Sequence, residues 1–75
     1  MNISDILIHI DEVLSTRQRE ALEESVRQVE GVVAPRFNPG KTHLLLVAFD
    51  PDTATTAALL AKVRSHGYTA QLVGV

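Results

Sequence analysis

Twice in 75 residues a strand-like alternation passes into helix-like spacing, and each helix is closed by a glycine. Ile6, Ile8 and Ile10 alternate with Leu7 and His9, the period-two signature of a strand over residues 3–10 whose isoleucines face a core. Leu22, Val26 and Val29 then share one face of a helix predicted over 16–30, with Arg19, Glu20, Glu23, Glu24 and Arg27 on its wet side. Glu23 and Arg27 are spaced as a favourable i,i+4 pair worth ~0.3 kcal/mol. Gly31 is placed to take the left-handed conformation that ends this helix.

The second half also holds strand and helix, although no internal repeat is obvious. Residues 32–37 read as a strand that Pro35 marks as an edge, and Asn38-Pro39-Gly40-Lys41 reads as a turn. Residues 43–49 are the most hydrophobic strand, and Asp50-Pro51-Asp52 punctuates the chain after it. A second helix is predicted from about Thr55 to His66, with Leu59, Leu60 and Val63 apolar and Gly67 closing it. Residues 68–73 supply a last strand. Right-handed crossovers turn this β-α-β-β-α-β order into an α+β, ferredoxin-like sandwich. The expected sheet has four antiparallel strands in the order 4-1-3-2, with both helices on one face.

Composition narrows what such a domain does. Residues 1–75 suffice for a single domain with a thin core. With two Phe, one Tyr and no Trp, that core must be aliphatic. A net charge of −2 argues against a nucleic-acid partner, which favours basic faces. The absence of cysteine excludes disulfides and thiolate metal sites. Asp5, His9 and Asp11 interrupt the one N-terminal apolar run that a signal peptide would need, and no segment is long enough to span a membrane. A soluble, cytoplasmic protein with no membrane partner is expected.

Several motifs together resemble the heavy-metal-associated domain of copper chaperones and metal-pumping ATPases. They are the closing pairs Gly31-Val32 and Gly67-Tyr68, the Phe49-Asp50-Pro51 stretch, and the apolar spacing of Leu59, Leu60 and Val63. The match covers nearly the whole chain. In that family the loop before the first helix carries two metal-binding cysteines in a Met-x-Cys-x-x-Cys motif. The matching positions here hold Ser15 and Gln18, with Val13 in place of the Met. A hydroxyl and a neutral amide do not replace thiolates for Cu(I). The resemblance therefore implies the fold and a metal-handling ancestry, without the family's metal transfer.

Read locally, Ser15-x-x-Gln18 is a capping box in which each residue satisfies the other's backbone N–H. The topology places Asp11, His43 and His66 at the end of the domain where the family holds its metal. Two imidazoles and a carboxylate suit Zn(II) or Ni(II) without sulfur, and this donor set is the candidate metal site. Tyr68 is expected to pack over the end of the second helix.

On the open sheet face, Leu44, Leu46 and Ala48 should lie beside Leu7 and His9. This apolar strip suggests self-association or another protein partner. No nucleophile stands at readable spacing from a base, and no glycine loop cradles phosphate, so no catalytic residue and no enzyme activity is expected. The leading expectation is a protein-interaction module with no cofactor, and a divalent-metal binder is the alternative. An ACT-like small-ligand domain shares the topology, but residues 11–18 lack the glycine its ligand loop favours. An RNA-binding domain of the same topology would need aromatic residues on the open face.

Overall fold

The computed structural model describes residues 2–73. Its elements run β1 (Ser4–Ile10), α1 (Thr16–Arg27), β2 (Val32–Asn38), β3 (Lys41–Phe49), α2 (Thr56–Arg64) and β4 (Ala70–Val73). The four strands form one antiparallel sheet in the order β2-β3-β1-β4, which is the expected 4-1-3-2 arrangement read from its other edge. The chain is a ferredoxin-like α+β sandwich.

Alternation builds the core. Ile6, Ile8 and Ile10 of β1 and Leu45, Val47 and Phe49 of β3 point to the helices and are buried. Leu22 and Val26 of α1 and Leu59 and Val63 of α2 close over them. Val29, Val32, Phe37, Leu60 and Tyr68 pack partly buried around this aliphatic centre. Each fully buried aliphatic side chain contributes about 1.5–3 kcal/mol by leaving water.

Both helices end earlier than their apolar spacing predicts. α1 stops at Arg27 rather than residue 30, because Val29 N–H donates to Val26 O (3.0 Å) and Val32 N–H to Val29 O (3.1 Å). These tighter i→i+3 bonds keep Val29 against the core while the chain turns at Gly31, φ 95°. α2 ends the same way: His66 N–H donates to Val63 O and Gly67 N–H to Arg64 O, with Gly67 at φ 88°. Strand β4 then starts at Ala70 rather than residue 68, since Tyr68 packs on the core and Thr69 turns its backbone to the first loop.

The predicted Glu23–Arg27 pair does not form. Arg27 reaches Glu24 one turn back, and Glu23 accepts from the Phe37 backbone N–H at 2.8 Å. A desolvated strand N–H is a better partner for that carboxylate than a solvated guanidinium. Pro35 does lie on an edge strand, β2.

The β2–β3 hairpin holds one irregularity. Phe37 pairs with Leu45, but the next residue, Asn38, pairs with Lys41. Residues 42–44 therefore bulge from the ladder, and His43 sits in that bulge.

Candidate functional site

The loop between β1 and α1 is fixed from both sides. Asp11 N–H donates to Thr69 O (2.9 Å), and Glu12 Oε1 accepts from Thr69 N–H (2.8 Å). That backbone hydrogen bond holds the Glu12 carboxyl below the usual carboxylate range. On the helix side the capping box forms as its spacing predicts. Gln18 N–H donates to Ser15 Oγ at 3.1 Å, and Ser15 N–H donates to Gln18 Oε1 at 2.8 Å. Arg19 Nη1 donates to Leu14 O (2.6 Å), and Leu14 is buried while Val13 is 85% exposed.

This geometry decides what the loop can hold. The Ser15 oxygen and the Gln18 carbonyl, which stand where the family has its cysteines, are both committed to backbone N–H groups. Their chemistry is hard and neutral as well. The two positions therefore do not fit a Cu(I) cargo.

The three expected metal ligands are not gathered together. Among the described residues, no group of three or more His, Asp or Glu side chains is placed to hold a metal ion. His66 hydrogen-bonds Ser25 Oγ through Nε2 at 2.8 Å and stacks on Tyr68, with ring centroids 6.0 Å apart. His43 turns from the β3 bulge so that Nδ1 donates to Ile10 O at 2.7 Å. Asp11 Oδ1 lies 3.1 Å from His9 Nδ1 and 3.2 Å from Gln71 Nε2. The histidine beside Asp11 is thus His9, and its ring stacks on His43 at 5.7 Å with 13° between the planes. Gln71 escaped the sequence reading. Only the β1–β4 register, which pairs it with His9, brings it to this group.

The open face of the sheet follows from the same registers. Leu7 stands across from Leu46, His9 from Leu44 and Asp5 from Ala48. Leu7, His9, Leu44, Leu46 and Ala48 are all half-buried on this face. Val73 extends the strip beside Leu7, and Arg36 flanks it beside Leu46.

No family model matches the sequence, and no curated protein does either. Solved structures do. The N-terminal domain of a potential copper-translocating P-type ATPase from Bacillus subtilis superposes with a TM-score of 0.86 at 20% identity, over 97% of this chain and 90% of that one. Oxidized MerP from Ralstonia metallidurans CH34 gives 0.85 at 15% identity, over 97% of this chain and 100% of that one. A copper-binding domain from HMA7, a P-type ATPase, gives 0.83 at 16% identity, over 93% of each chain. The chain has the heavy-metal-associated fold and lacks the cysteines that the resemblance leads one to look for.

Proposed function

We propose that this domain is a non-enzymatic interaction module that has lost thiolate metal transfer and pairs with a second copy through its open sheet face. The carrying observation is the strip of Leu7, Leu44, Leu46 and Ala48, contiguous across the two central strands and uncovered by any helix. The strip is also self-complementary. Asp5 and His9 flank Leu7 on the same face, one on each side. A twofold axis through Leu7 and Leu46 sets the Asp5 of one copy against the His9 of the other, twice.

The neighbours named for copper supply the fold and the expectation of a binding role. Their cargo does not carry over, because the donors in this loop are an alcohol and an amide, both already hydrogen-bonded. Among the described residues, no helix is long and apolar enough to cross a membrane. Sedimentation across a concentration series tests the reading. The wild type should pass from monomer to dimer, and Leu46→Lys should stay monomeric with an unchanged far-ultraviolet spectrum. A wild type that stays monomeric at millimolar concentration overturns it.

A further inference from the structure

We infer that His9 and His43 form a two-histidine binding site for a borderline divalent transition-metal ion, Zn(II), Ni(II) or Cu(II), at the loop end of the open sheet face. The inference rests on how each ring is held. Ile10 O can only accept, so the 2.7 Å contact puts a proton on His43 Nδ1. Asp11 Oδ1 sits 3.1 Å from His9 Nδ1 and favours the same tautomer there. Gln71 Nε2 is 3.2 Å from both His9 Nδ1 and Asp11 Oδ1. With Nδ1 protonated, its hydrogen bond runs to the carboxylate. In the neutral form each Nε2 is then left with a lone pair, and among the described residues neither Nε2 has a hydrogen-bond partner.

This is the arrangement by which proteins prepare imidazole ligands: one ring nitrogen donates to a carboxylate or a backbone carbonyl, which raises the basicity of the other and fixes its direction. Both supports are present, one on each ring, and the rings are already stacked at 5.7 Å. Metal–nitrogen bonds of about 2.0–2.1 Å require the Nε2 edges to tilt toward one another. The Nδ1 bonds to Asp11 and Ile10 act as the pivots. Water completes the coordination, and imidazole donors favour Zn(II), Ni(II) and Cu(II) over Mg(II) or Ca(II). Asp11 is then a positioning residue rather than a ligand, and His66 plays no part. The β3 bulge is what makes the site, since strict alternation along β3 gives residue 43 the core-facing parity of Leu45 and Val47.

The experiment is a long-range ¹H–¹⁵N titration of tag-free protein with NiCl₂, ZnCl₂ and MgCl₂, each alone. In metal-free protein near neutral pH, both rings should show the Nδ1–H tautomer. Zn(II) should shift the Nε2 signals of His9 and His43 saturably at one ion per chain, and Ni(II) should broaden the same signals. Mg(II) should do neither. His9→Gln and His43→Gln should each abolish saturation, His66→Gln should leave it intact, and Asp11→Ala should weaken it about tenfold and move His9 toward the Nε2–H form. Direct observation of the nitrogens in the wild type decides the matter even if a variant misfolds. Absence of saturable shifts, ligation through Nδ1, or loss of binding in His66→Gln alone would each overturn the inference. Leu46→Lys separates it from the pairing reading, because that variant should still bind one ion per chain.

Discussion

Ser15 and Gln18 occupy each other. The backbone N–H groups of Ser15 and Gln18 at the start of α1 find side-chain oxygens, so both side-chain oxygens serve the helix start. Ser15→Ala should cost ~1 kcal/mol, read as a lower urea midpoint with an unchanged slope, because a cap is lost and no core atom moves. Glu12 acts from the other side of the same loop. Its carboxyl is held below the ordinary range by the Thr69 N–H, so the folded state binds this proton less readily than the unfolded chain. Its contribution is therefore present above the ordinary glutamate range and lost as pH falls through the lowered value. Acid titrations of stability should show that loss in the wild type and a flatter limb in Glu12→Gln. The capping box was legible from four letters because it needs only local rules. The pairings of Glu12 with Thr69, His9 with Gln71 and His66 with Ser25 were not, since those partners lie 57, 62 and 41 residues away along the chain.

At the scale of elements, the two closing glycines look alike in sequence and differ in space. Gly31 and Gly67 both adopt positive φ, so an L side chain at either is strained by roughly 1–2 kcal/mol. A Cβ at Gly31 would also stand 2.9 Å from the Thr53 Cβ and 3.0 Å from the backbone N of Ala54, while one at Gly67 would meet nothing within 4 Å. Gly31→Ala should therefore cost about 1–3 kcal/mol more than Gly67→Ala, from overpacking, with paired thermal melts as the check. Strand and helix identities came through the hydrophobic period, and Ile6, Ile8 and Ile10 face the core as their alternation says. Helix ends did not, because Val29 and Tyr68 remain apolar and core-packed after the helical hydrogen bonds have stopped. The bulge at 42–44 left no pattern to read. His43 has the core-facing parity by count, and hairpin pairing alone turns it to His9.

Across the whole molecule, one side of the sheet is closed by two helices and the other side is not. A 75-residue chain buries a smaller share of its surface than a larger domain does, so any association adds noticeably to its stability. On the pairing reading, the melting temperature of the wild type should rise with protein concentration, and that of Leu46→Lys should not. The open face was legible to the sequence because β1 and β3 alternate cleanly. Val73, Arg36 and Gln71 join it only through strand register, which no single segment encodes.

The Glu23–Phe37 bond has a further effect at this scale. Phe37 turns its N–H away from β3 to the helix carboxylate, and two residues earlier on the same outer side Pro35 has no N–H to offer. The outer margin of β2 thus has two successive donors withdrawn from any incoming strand. Edge-to-edge growth is therefore blunted at the β2 margin. On the pairing reading, the β2 edge thus resists zipping into open-ended fibrils even with leucines exposed on the sheet.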